Sequence, residues 1–118
     1  MAKLETVAVL LDTSDPKIYR AKDGRLEEMY VDGHWERADP PAYDTDANAS
    51  RELLAYVKAK ERETPFGGNV LRIVAPSLNI GAFPVARVFE LLSATPQQIY
   101  AAFCATFARE LNELEKRP

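Results

Sequence analysis

One histidine, one cysteine and a short run of acids are the residues of this chain whose types could do chemistry. Asp44, Asp46 and Asn48 stand at alternate positions, the spacing with which a calcium loop opens. Such a loop needs a glycine at its sixth position and a bidentate glutamate at its twelfth. Ala49 and Ala55 occupy those places, and Pro40 and Pro41 exclude an entering helix. The acids are expected in a solvated turn near a helix N-terminus, where negative charge is favourable. His34 could serve as a general base or a metal ligand, but one imidazole builds neither site alone, and a base also needs an orienting partner. Its place beside Asp32-Gly33 predicts an exposed ring. Cys104 lacks the cationic neighbours that activate a thiol; Ala101, Ala102 and Ala105 surround it, so a buried, inert cysteine is expected. Gly67-Gly68 is followed by Asn69 and an apolar run rather than by the lysine and hydroxyl of a phosphate cradle, and reads as a turn. No catalytic, cofactor-binding or metal site is expected, and no cofactor.

The elements that must position these residues read as an α+β order, β-βββ-α-β-α-α. The dense apolar run Leu4 to Leu11 predicts a first strand, broken at Asp12 to Pro16. Asp23-Gly24 and Asp32-Gly33 each sit between strand-forming segments, the strongest short-range hairpin signal, and predict a three-stranded meander. If both loops have two residues, Arg20 opposes Glu27, Ala21 opposes Leu26, Tyr30 opposes Trp35 and Glu28 opposes Arg37. Tyr19, Ala21, Leu26, Tyr30 and Trp35 then form the core face; Ile18, Arg20, Glu27, Met29, Val31, His34 and Glu36 form a mixed one.

A loop over 39–50 leads into a helix near Asn48 with Leu53, Leu54 and Val57 as its apolar stripe. Residues 64–68 end that helix. Val70 to Ala75 predicts a fifth strand, with Arg72 on its solvent side. Lys58, Lys60 and Arg62, interleaved with Glu61 and Glu63, predict a solvated helix end. After a second loop, Pro84 opens a helix carrying Val85, Val88, Phe89 and Leu92 on one face. Thr95-Pro96-Gln97-Gln98 is a capping box for a last helix with Tyr100, Phe103, Phe107, Leu111 and Leu114 on one side. The expected architecture is one domain over 1–118. Its mostly antiparallel sheet packs against about three helices around Val7, Val9, Leu26, Tyr30, Trp35, Leu54, Val57, Leu71, Ile73, Val88, Phe89, Phe103 and Phe107.

The chain has 118 residues, 47% hydrophobic and 28% charged, values that fit a folded globular domain. A single cysteine excludes an internal disulfide framework and points to a reducing, cytoplasmic setting. The first residues reach Glu5 before any long apolar run, which does not read as a signal peptide, and no stretch is long enough for a membrane span. The chain is acidic, with a net charge of −3, which disfavours generic affinity for nucleic acid. Aromatic residues of the meander could stack on bases, but Tyr30 and Trp35 are expected in the core.

By elimination, a small soluble, non-enzymatic binding or regulatory protein is expected, acting on another protein or on a second copy of itself as a homo-oligomer. Expected contact residues are Ile80 and Phe83 in their turn-rich loop, Arg72, and Tyr100, Leu111 and Leu114 on the last helix. The alternative is a small enzyme or ligand-binding domain whose site gathers dispersed residues such as Tyr19, Glu28, His34 and Arg72.

Overall fold

The computed structural model of the chain describes residues 1–74 and 94–116. Among them are α1 (Leu4–Leu11), β1 (Tyr19–Lys22), β2 (Arg25–Met29), β3 (Trp35–Arg37), α2 (Ala47–Ala59), α3 (Glu63–Val74), α4 (Pro96–Thr106) and α5 (Ala108–Lys116). The chain divides into two compact units, Met1–Ala42 with Phe107–Pro118, and Tyr43–Thr106.

The first unit is a three-stranded antiparallel sheet, ordered β1-β2-β3, with α1 against β1 and β2 and with α5 against α1. The expected first strand, Leu4 to Leu11, is helix. A continuous apolar run of eight residues does not distinguish a buried strand from a short buried helix. Here the helix buries Thr6, Val7 and Ala8 and leaves Val9 half-buried. Asp12 ends it and ties it to the sheet. Its carboxylate accepts from the backbone N–H of Ser14 (3.0 Å), Ile18 (2.8 Å) and Tyr19 (2.9 Å), and its carbonyl accepts from Lys17 Nζ. Burial works against the charged carboxyl, yet the N–H donors of Tyr19, Ser14 and Ile18 together hold its pKa below the usual value.

The first hairpin has the expected register, with Arg20 opposite Glu27 and Ala21 opposite Leu26. Asp23 (φ 54°) and Gly24 (φ 75°) supply the two left-handed positions of its two-residue turn. The second hairpin is one residue longer in its loop. Gly33 donates to the Tyr30 carbonyl (2.9 Å), and Tyr30 donates to that of His34 (2.9 Å). Val31-Asp32-Gly33 is thus a three-residue loop, with Gly33 at φ 90°. Trp35 consequently faces Met29, Glu28 faces Glu36, and Glu27 faces Arg37. The expected pairs Tyr30–Trp35 and Glu28–Arg37 do not form.

The second unit is built from α2, α3 and α4, with α4 packed on both α2 and α3. The acids before α2 behave as expected: Asp46 caps the helix, its side chain accepting from Asn48 N at 2.9 Å. α2 ends at Ala59, before the expected stop at 64–68, and Glu61 turns the chain with φ 55°. The expected fifth strand over Val70 to Ala75 is overturned, since α3 runs through Val74 and carries Gly67-Gly68 within it. Phe66 and Val70, four residues apart, form its buried stripe. Asn69 Nδ2 donates to Thr106 Oγ1 (2.9 Å), tying α3 to α4. Tertiary contacts thus override two glycines that each cost about 1 kcal/mol in a helix.

The capping box of α4 is present, with Thr95 N donating to Gln98 Oε1 (2.9 Å) and Gln98 N to Thr95 Oγ1 (3.2 Å). The last helix is interrupted at Phe107. Thr106 Oγ1 donates back to the Ala102 carbonyl at 2.8 Å, a bond that bends helices.

The order among the described residues is therefore α-βββ-α-α-α-α rather than β-βββ-α-β-α-α, and five helices accompany a sheet of three strands. Val7, Leu26, Val57, Phe103 and Phe107 are buried as expected. Tyr30, Leu54 and Ile73 are exposed instead, and Leu53, Phe66, Val70 and Tyr100 are buried beside the expected core residues. The expected helix after Pro84, with Val88 and Phe89, lies outside the described residues.

Candidate functional site

Side chains alternate along each strand, so the register sorts the meander into two faces. Leu26, 1% exposed, marks the inner face, which it shares with Tyr19, Ala21, Glu28, Tyr30, His34, Glu36 and Ala38. The outer face carries Met29 opposite Trp35, Arg20 opposite Glu27 and Arg37, and Lys22 opposite Arg25. Met29 N also donates to the Ile18 carbonyl at 2.8 Å, which continues the ladder and puts Ile18 beside Met29. Ile18, Met29 and Trp35 thus form one apolar row across all three strands. Ile18 is 40% exposed, Met29 and Trp35 are half-buried, and Val31 is fully exposed in the adjoining loop.

Beside this row the charge is cationic. Arg20, Lys22, Arg25 and Arg37 share the outer face with one carboxylate, Glu27. Arg20 Nε donates to Glu27 Oε1 at 2.8 Å while the Arg20 guanidinium lies 4.2 Å from the Trp35 ring centre. Among the described residues Lys22, Arg25 and Arg37 form no ion pair, so their charges stay available.

The far end of the inner face holds the single histidine in a different setting. The rings of Tyr30 and His34 stack with centroids 5.1 Å apart. His34 Nε2 pairs with Glu36 Oε1 at 2.9 Å and Nδ1 with Asp32 Oδ1. Those bonds, Glu36 first and Asp32 second, raise the His34 pKa above its ordinary value. The negative charge of Glu36 also pushes the Tyr30 phenol up. A carboxylate on each nitrogen favours the protonated ring, which has no lone pair to offer while both bonds are made. It also relieves the unfavourable pairing of Glu28 with Glu36 across the strands. Among the described residues no three His, Cys, Asp or Glu side chains are grouped to hold a metal ion.

The expected contact residues are scattered. Tyr100 and Leu111 are buried, 4% and 1% exposed, inside their units, and Leu114 is half-buried. Arg72 is exposed on α3, where Nη1 donates to Asn69 Oδ1 at 3.3 Å. Ile80 and Phe83 lie outside the described residues. Of the dispersed set Tyr19, Glu28, His34 and Arg72, the first three are on the inner face and Arg72 belongs to the other unit. Cys104 is buried, as expected. The outer row was missed because a two-residue loop was assumed at Asp32-Gly33. The pair also suits the last two positions of a three-residue loop, which is the signal that would have found it.

Fold and site together define a small α+β chain whose meander gathers an apolar row and four cations on one face. No family model matches the sequence, and neither curated proteins nor solved structures match it. Among the described residues no helix is long and apolar enough to cross a membrane.

Proposed function

We propose that the chain is a non-enzymatic binding protein that engages another protein through the outer face of its meander. The observation that carries this reading is the row Ile18–Met29–Trp35, which the register places on the side opposite Leu26. A sheet with one solvated face ordinarily alternates apolar-in with polar-out. Here a tryptophan, a methionine and an isoleucine lie on the side opposite Leu26, with Ile18 exposed and Met29 and Trp35 half-buried, and Val31 is fully exposed in the adjoining loop. Tryptophan and arginine are the residue types that most often carry interface energy, and Arg20 and Trp35 are already fixed against each other.

The test compares proteins captured by the wild-type chain with those captured by Ile18→Glu. That variant puts a charge in the row at an exposed position and leaves Leu26 in place. The reading expects a discrete partner that the variant fails to hold, while circular dichroism shows both forms equally folded. Capture of the same proteins by both forms, or of none by the wild type, overturns it.

A further inference from the structure

The outer face has an order along the strands as well as a composition. From the β2–β3 loop toward the β1–β2 turn come the row Ile18–Met29–Trp35, then Arg20–Glu27–Arg37, then Lys22–Arg25. Successive rows on one face are two residues apart, so the first cationic row lies about 7 Å from the apolar row and the second about 13 Å. Glu27 is engaged by Arg20, and among the described residues Arg37, opposite Glu27 in the register, Lys22 and Arg25 form no ion pair. The whole chain is acidic at −3 while the strand-paired positions of this face hold four cations and one anion. The cations are thus gathered on the face that carries the apolar row.

We infer that this face takes an extended acidic segment of another protein, one apolar residue seated on Ile18–Met29–Trp35 and carboxylates following it toward Arg37, Lys22 and Arg25. This rests on the docking reading above and names its partner's chemistry. A segment in extended conformation advances about 3.3 Å per residue with side chains alternating. Residues two and four positions after the anchor therefore fall over the two cationic rows. Arginine meets a carboxylate with two parallel hydrogen bonds, so Arg37 and Arg25 give orientation as well as attraction. Arg20 is held by Trp35 and Glu27 before any ligand arrives, which lowers the ordering cost of that part of the surface.

Trp35 is the single tryptophan of the chain, so its emission reports on this face alone. The experiment titrates the full chain with a synthetic extended peptide bearing one leucine and aspartates two and four residues after it. Its lysine-for-aspartate analogue and a short oligothymidine are titrated alongside. The acidic peptide is expected to change Trp35 emission and to bind at least ~10-fold more tightly than the lysine analogue. Lys22→Glu with Arg37→Glu, both at exposed positions, is expected to reverse that preference. No response to the acidic peptide, equal affinity for the two peptides, or tighter binding of oligothymidine overturns the inference, the last by making the partner a nucleic acid. Should Ile18→Glu still lose a captured protein in any of these cases, the docking reading survives and only the partner's chemistry is wrong.

Discussion

Arg20 reaches Trp35 across the intervening strand, its guanidinium 4.2 Å from the indole ring centre. The two residues belong to β1 and β3, the outer strands of the sheet, with β2 between them. Neighbouring strands lie about 4.8 Å apart, so both side chains must lean over β2 to meet. Glu27 on β2 sits beneath and accepts from Arg20 Nε at 2.8 Å. Three strands are thereby fastened on the face opposite the buried Leu26.

Arg20→Ala removes that fastening. The expected loss is about 0.5–1 kcal/mol for a cation–π contact at a partly exposed site. Trp35 emission should shift to the red as the ring gains water. Denaturant titration read by Trp35 fluorescence measures both effects at once. Arg20→Lys should recover less than full stability, since an ammonium cannot stack its plane on the ring.

Asp12→Ala leaves the N–H groups of Ile18 and Tyr19 without their acceptor and should cost about 1–3 kcal/mol, measured by urea unfolding. The folded carboxyl has a lowered pKa, so its stabilisation is fully present above the unfolded value of about 3.8. It is lost as pH falls through the lower folded value. Wild-type stability should fall on acidification below about pH 4, with a smaller slope in Asp12→Ala.

His34 has the opposite sign. Its folded pKa is raised by Glu36 and Asp32, so its contribution is present below the unfolded value of about 6.5. That contribution disappears as pH rises through the folded value. Imidazole proton shifts followed from pH 5 to 9 should give a midpoint above about 6.5, and Glu36→Gln should move the midpoint down. A wild-type midpoint below 6.5 contradicts the arrangement.

Gly67→Ala and Gly68→Ala should each raise stability by about 0.5–1 kcal/mol. Both glycines lie inside α3, neither has a positive φ, and a Cβ at either would meet nothing within 4 Å. Thermal unfolding of the two variants should show a rise of a few degrees each.

Local chemistry was legible where it acts locally. The Asp23-Gly24 turn, the Asp46 cap and the Thr95–Gln98 box are formed as their residues dictate. The identities of α1 and α3 were not legible, for two different reasons. Leu4 to Leu11 is apolar throughout, so it carries no period to separate helix from strand. Val70 to Val74 is a short, β-branched apolar run broken only by Arg72, which reads as a strand, and a turn at Gly67-Gly68 hides the helical stripe Phe66–Val70. At the meander a one-residue difference in one loop carried Trp35 from the expected core to the outer face and set Met29 against it. The candidate site was therefore unreadable until the register was known, although each of its residues was in view.

Collisional quenching of Trp35 tests that placement most directly. A half-buried indole beside Arg20 and the row of Arg37, on a cationic face, should be quenched by iodide clearly more strongly than by caesium at equal ionic strength. Arg37→Glu should narrow the difference. Trp35 shielded from both ions, or quenched more by caesium than by iodide, would contradict the outer-face placement and the docking surface built on it.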